Sequence, residues 1–410
     1  MKKTGLLISY FLFLISYFSF AGAFQVNLQG QKQAGMGHTG TAVLQGASCA
    51  FFNPGALSFV DSFQISAGAS FIVPRIVYLE PYPGVYTTET VHRVGTPFSF
   101  YTSYKPAKSK NFTMGFAVYT PFGSGIQYED NWKGQFVLRE MEMRTIFFQP
   151  TLSYRVTEKF GIGAGFIYGT GKFELRKGIP VADQNGNYGE GILSGNATGT
   201  GYNIGVYFNP NKKLAIGFTY RSGVKVSTDN GKANFTVPAS LSEYFPSTTF
   251  STTIHLPSVF SSGICYKPNE KTTFAFDMNF VGWSVYDTLA FDFADNTDKL
   301  KDINSPRKYK DSFITRFGWQ HEFFKWFTAR AGILYDDTPV PDQYVTPETP
   351  DSDKLGLTSG FTLKAGNLNL DFSLILVEGQ KRTDVNLETK FGGTWKSRAV
   401  IPGVGLSYSF

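Results

Sequence analysis

The last nine residues, Pro402-Gly403-Val404-Gly405-Leu406-Ser407-Tyr408-Ser409-Phe410, alternate large apolar side chains with small ones and stop on an aromatic carboxyl terminus. In an extended chain this period of two puts Val404, Leu406, Tyr408 and Phe410 on one face, and Gly403, Gly405, Ser407 and Ser409 on the other. A strand apolar on one side and small and polar on the other suits a wall with lipid outside and a lumen inside.

The amino end names the same compartment. Lys2 and Lys3 precede an apolar stretch from Leu6 to Phe20, and Ala21-Gly22-Ala23 supplies the small residues that signal peptidase requires. Residues 1–23 are therefore expected to be a signal peptide, with Phe24 as the mature start. The other reading is an uncleaved membrane helix, since Leu6 to Ala23 is nearly long enough to span a bilayer. No Cys follows the stretch, which argues against a lipoprotein, and no later apolar run is long enough to cross as a helix. Hydrocarbon demands that every backbone group be paired internally, so the remaining spanning solution is a closed antiparallel β-barrel over residues 61–410.

Composition agrees: 41 Phe, 22 Tyr and 43 Gly coexist with a mean hydropathy near neutral, as alternating lipid-facing and lumen-facing positions require. The net charge of +6 comes without clustered basic runs, so nucleic acid is not an expected partner. Short turns at 105–111, 157–159, 209–212, 267–271, 322–325 and 365–367 alternate with long polar segments at 76–91, 123–136, 178–189, 228–248, 287–308, 336–354 and 381–395. Short turns belong in the periplasm and long loops outside, and counting between them gives about fourteen strands, with both chain ends in the periplasm.

Parity then sorts the charges. In Thr272 to Phe280 the even positions Phe274, Phe276, Met278 and Phe280 share one face, which sends Asp277 and Asn279 inward. The same argument turns Arg316, Arg330 and Asp371 into the lumen, because Arg on the lipid face at mid-depth costs roughly 2–4 kcal/mol. These groups read either as ion pairs holding the barrel and a plug together, or, for Arg316 and Arg330, as bidentate anchors for a ligand carboxylate. Arg221 lies at a strand end, where parity is less decisive.

Residues 24–60 are rich in Gly, Ala and Gln and lack strand periodicity. They suit short helices and tight turns inside the barrel, because a lumen enclosed by roughly fourteen strands is too wide for side chains alone to fill. Cys49 lies in this segment and Cys265 on an inward-facing strand position. In an oxidising compartment they could bond and tether plug to wall, with two free thiols as the other reading.

Three stretches resemble the FadL/TodX-type outer-membrane transporters of long-chain fatty acids and other hydrophobic compounds. Phe24-Gln25-Val26-Asn27, Gly35-Met36-Gly37 and Asn53-Pro54-Gly55-Ala56-Leu57 resemble that family's amino-terminal hatch and its Asn-Pro-Ala signature, departing from it by the inserted Gly55. Leu256-Pro257 through Asp277 to Trp283 and Tyr286 is similar to its mid-barrel segment. Tyr335-Asp336-Asp337-Thr338-Pro339-Val340-Pro341-Asp342, followed by Pro350-Asp351-Ser352-Asp353-Lys354, resembles its late loop.

The resemblance implies passive capture of a hydrophobic molecule at the surface, binding in the lumen, and release when the hatch rearranges, in part through a lateral opening at a kinked strand. Hatch residues Phe24, Asn53, Pro54 and Gly55 would gate such a path. The candidate kink is at Pro121 and Gly123, where Pro removes a ladder donor and Gly permits a bend; an ordinary strand end is the competing reading.

The expected partners are a hydrophobic ligand and outer-membrane lipids, the expected state a monomer, and no cofactor is implied. His38, His92, His255 and His321 lack metal-ligand spacing, and the acidic residues of the late loop read as a solvated loop in preference to a calcium site. No catalytic residue is assigned. A surface-binding or adhesion barrel, or a polar-solute porin, is the alternative function.

Overall fold

The computed structural model describes residues 22–109 and 111–410, so the predicted signal sequence up to Ala21 lies outside the described residues. The wall is a closed antiparallel barrel of 14 strands. Closure joins the two ends of the chain: Gln64–Ser70 pairs with Gly392–Ser409, from Gln64 opposite Ser409 to Ser70 opposite Gly403. The carboxyl end then ties back to the short-turn rim, where Ser409 donates its N–H to the Asn367 carbonyl at 3.1 Å and Phe410 to that of Phe63 at 2.9 Å.

Side-chain parity follows the expected pattern. Asp277, Arg316, Arg330 and Asp371 are buried on the inner face, whereas Phe313 and Phe317, beside Arg316 on the same strand, are 45% and 43% exposed on the outer one. Exposed apolar side chains of this kind are the lipid-facing surface of the barrel.

The long polar segments depart from their reading as loops. Phe160–Ala182 and Tyr188–Asn211 form one long ladder far beyond the apolar band, its register shifting only between Ile179 and Ala182, and Val224–Thr236, Thr288–Phe293, Ile303–Pro306 and Arg382–Val385 are strands within or reaching into segments expected to be irregular. Outside the membrane both faces of a strand are wet or packed on other loops. The hydrophobic alternation therefore disappears while the backbone ladder persists.

Residues 24–60 fold as short helical turns, Gln31–Ala34, Gly46–Ser48, Cys49–Phe52 and Pro54–Leu57, almost wholly buried against the inner face of the wall. None is long enough to be stable alone, so wall contacts must hold the segment in place. Glycines make the approach possible. A Cβ on Gly217 of the wall would lie 2.1 Å from the Thr41 carbonyl oxygen, and Gly37 adopts a φ of 65° where a Cβ would lie 2.4 Å from the Phe317 carbonyl.

Candidate functional site

The strand expected to kink is broken where Pro121 sits. Phe112–Tyr119 and Gly123–Gln127 pair with the same neighbour, Glu140–Thr157, but Tyr119 faces Phe147 whereas Gly123 faces Arg144. Four steps on one strand therefore match three on the other, which is a β-bulge. On the opposite side the ladder to Phe98–Tyr104 ends at Tyr119 opposite Ser99.

The inner segment supplies partners at this break. Val26 donates its N–H to the Pro121 carbonyl at 2.8 Å, Gly123 donates to the Phe24 carbonyl at 3.0 Å, and Gln25 forms a bridge with Phe122. Phe24 is buried beneath these bonds, its ring 4.8 Å from Trp283, 5.4 Å from Tyr286 and 6.1 Å from Phe122. Each such aromatic pair contributes about 0.5–1.5 kcal/mol beyond its area.

Beside the break lies a cavity of about 270 Å³ with a mainly apolar lining that includes Leu28, Ile72, Ile126, Ile375 and Ile401. It reaches Gly123 and Ser124 of the kinked strand, and its polar lining includes Arg316, Asp336 and Asp351. Asp351 accepts a hydrogen bond from the Ala23 N–H at 3.1 Å and from the Thr338 hydroxyl at 2.7 Å, and pairs with Lys354 at 3.1 Å. Asp336 is buried with one carboxylate oxygen unpartnered. Sequence reasoning left both in a solvated loop. Their contact with the amino-terminal segment spans more than 300 residues, and no local pattern carries it.

Arg316 and Arg330 do not converge. Arg316 stands opposite Asp277 in register, donates to the His38 carbonyl at 3.3 Å and borders the apolar cavity. Arg330 donates to Gln320 at 2.8 Å and Thr362 at 2.6 Å, and it lines a separate cavity of about 280 Å³ whose walls are polar, with Lys32, Gln64, Lys364 and Asp371. Arg330 is thus one member of a hydrogen-bonded lining on the short-turn side. Arg221 reaches inward, donating to the Tyr119 hydroxyl at 2.7 Å and the Phe51 carbonyl at 2.9 Å, with its guanidinium 4.0 Å above the Phe51 ring.

The other end of the inner segment is fixed by Asn53. Its amide donates to the carbonyls of Thr41 at 2.7 Å and Val206 at 2.9 Å, while its oxygen caps the turn Pro54–Leu57 by accepting from Gly55 N–H at 2.9 Å. Pro54 opens that turn, where its missing N–H costs nothing, and its carbonyl accepts from Ser153 at 2.5 Å. The residue inserted into the signature is required by space, since a Cβ on Gly55 would lie 2.7–2.9 Å from Gly161 O, Gly205 O and Tyr207 N.

Cys49 and Cys265 are buried as free thiols. The disulfide expected as one of two readings is not formed; Cys49 Sγ instead lies 3.9 Å from the Val43 carbonyl within its own segment.

A family model described as outer membrane protein transport protein (OMPP1/FadL/TodX) matches residues 12–410. The chain is 23% identical to the long-chain fatty acid transport protein of Salmonella typhi, over 97% of this chain and 96% of that one. In three dimensions it superposes on the crystal structure of a Pseudomonas aeruginosa FadL homologue with a TM-score of 0.83 at 18% identity, covering 95% and 100% of the two chains. The Ralstonia pickettii toluene transporter TbuX gives 0.70 at 15% identity, covering 93% and 98%.

Proposed function

The chain belongs to the outer membrane protein transport protein family (OMPP1/FadL/TodX), and from that premise we propose that it conducts long-chain fatty acids passively from the cell surface into the bilayer by a lateral route. It is an integral barrel of the outer membrane that carries hydrophobic compounds. The observation that carries the lateral reading is the junction of apolar cavity and wall break, with Phe24 to Val26 supplying the missing backbone partners at Pro121 and Gly123.

A ligand seated among Ile72, Ile126 and Ile375 is one strand's thickness from lipid. Each CH2 that avoids water on leaving is worth about 0.8 kcal/mol, so a long acyl chain strongly favours the bilayer over the periplasm. The polar lining around Arg330 and Lys32 makes the periplasmic side a poor path for such a molecule. In this reading residues 24–60 are the hatch and Phe24 its movable tip, while Asn53, Pro54 and Gly55 hold its base.

The name of the Salmonella typhi relative supports an acid as the cargo. Arg316 on the cavity wall supplies the cation that a carboxylate would meet. Arg330, in the other cavity, is assigned to the periplasmic lining and removed from the ligand site. One chain closes the barrel by pairing its first and last strands, which supports a monomer as the transporting unit.

The test is uptake of a radiolabelled long-chain fatty acid by cells that have this barrel as their only route, comparing wild type with a variant lacking Pro121. Deleting Pro121 restores one-to-one pairing with Glu140–Thr157. Uptake should fall to background while the folded barrel persists in the outer membrane. Undiminished uptake would sink the lateral route, and passage of sugars in place of fatty acid would return the porin reading.

A further inference from the structure

On the outer face of the wall, the rows of apolar side chains give way to charge at one level. Along Gly392–Ser409 the outward row ascends from Phe410 through Tyr408, Leu406, Val404 and Val400 to Arg398 and Lys396, and on Leu368–Gly379 it ascends through Leu374 and Leu376 to Glu378. Arg398 precedes Phe410 by twelve residues. At ~3.4 Å per residue and a tilt of ~40° it stands about 30 Å above the periplasmic rim, just past the apolar band.

A groove of about 540 Å³ opens on this face. Its floor is Val73, Leu357, Leu376 and Val400, and its rim carries Arg75, His92 and Arg398 together with the carboxylate of Glu378. Arg75 and Arg398 stand directly opposite each other in register, a like-charge pairing that destabilises a sheet unless something compensates. Arg75 is satisfied by Glu89, and Glu378, which faces Arg398 from the other side, is taken by Lys396 at 3.2 Å. The Arg398 side chain makes no hydrogen bond or ion pair among the described residues.

We propose that this groove binds one phosphorylated glycolipid of the outer leaflet, with its acyl chains on the Val73–Leu357–Leu376–Val400 floor and a phosphate on Arg398, supported by Arg75. The chemistry fits on both counts. An exposed guanidinium at the headgroup level offers paired donors to a phosphate, and the apolar floor beneath it lies in hydrocarbon where acyl chains already run. The occupant supplies the counter-charge that the Arg398 side chain lacks and covers the apolar floor of the groove. This site opens on the outer face of a wall one strand thick, so Pro74, Val377, Arg398 and Ala399 line both the groove and the lumenal cavity behind it.

The experiment is native mass spectrometry of the full processed barrel, released gently from detergent after incubation with bisphosphorylated lipid A or with the same lipid stripped of both phosphates. The wild type should retain the phosphorylated form roughly tenfold better, and Arg398→Glu should abolish that preference. Arg144→Glu, at an exposed basic position elsewhere on the outer face, should leave it intact. The heat-dependent shift in gel mobility of folded barrels confirms that both variants are folded. Equal retention of the two lipids, a preference that survives Arg398→Glu, or a preference lost equally with Arg144→Glu would overturn the proposal, as would dimers of the chain appearing in place of lipid adducts.

Discussion

Asp277 and Arg316 face each other across the ladder between Thr272–Val281 and Ser312–Phe324, and both hold the same stretch of the inner segment. One oxygen of Asp277 accepts from the N–H groups of Gly40 at 2.8 Å and Thr41 at 2.9 Å, while Arg316 donates to the carbonyl of His38. An anion thus meets two backbone donors and a cation meets an acceptor within four residues of chain, all of it buried.

Replacing Asp277 by Ala leaves two buried N–H groups without an acceptor, a loss of about 3 kcal/mol. Hydrogen exchange at Gly40 and Thr41 should accelerate at least ~100-fold, while amides of the long ladder Phe160–Ala182 stay protected. Unchanged exchange at Gly40 would mean that the carboxylate does not hold the segment.

Gly217→Ala places a methyl group against the Thr41 carbonyl and 2.8 Å from the Asn53 amide nitrogen, so the wall or the inner segment must shift. The expected cost is about 1–3 kcal/mol, read as a lower unfolding temperature and faster protease cleavage within residues 24–60. Gly125→Ala, where a Cβ meets nothing within 4 Å, is the matched control and should behave as wild type.

Asn53→Ala removes a turn cap and two bridges at once, one to Thr41 and one across to Val206 of the wall. A cap alone is worth about 1 kcal/mol, and the stranded carbonyls add to it. The barrel should survive, and cells carrying the variant should take up fatty acid more slowly. Asn53→Asp, which keeps the cap but loses the donors, should be as impaired in uptake as Asn53→Ala if bridging to the wall is what counts.

Cys49 and Cys265, at 1% and 2% exposure, should resist alkylation in the folded barrel and react fully after unfolding without reductant. Protection that persists in denaturant until a reductant is added would establish the bond that the structure lacks.

Asp61 joins the inner segment to the wall, its carboxylate accepting from Lys105 at 2.5 Å and Arg155 at 2.7 Å. Partial burial pushes its pKa up, but the two cations outweigh this and hold it below the ordinary carboxylate range. A depressed folded value stabilises above the unfolded pKa of about 3.9 and is lost as pH falls through the folded value. The Asp61→Asn variant should therefore melt below wild type at pH 7, and the two should converge as pH falls through the depressed folded value. The side chain is largely exposed, so the gap at neutral pH should be small.

The lipid-facing parity, the barrel and its strand number were legible in the sequence because hydrocarbon imposes a strict period of two, and a charge such as Arg316 or Asp371 marks the inner face at once. The strand extensions beyond the membrane were not, since Thr288–Phe293 and Ile303–Pro306 pair where nothing enforces alternation. The candidate site was legible in its parts, with Phe24, Asn53, Pro121 and Gly123 all singled out beforehand, but not in its assembly. Arg316 and Arg330 share a parity and a neighbourhood in sequence, yet border different cavities, because parity gives the face of a residue and not its height or its neighbours across the lumen.

At the break in the wall, Pro121 and Gly123 take their partners from Phe24 and Val26, so the tip of the inner segment serves as a short substitute strand. Drawing it back to let an apolar molecule past would leave the Pro121 carbonyl without its donor, and apolar cargo or lipid in its place offers none, at a cost of several kcal/mol. On the lateral route proposed above the bilayer would act as the return spring: the solvent that receives the cargo would also press the door shut, so the barrel could open for each passage without becoming a standing leak.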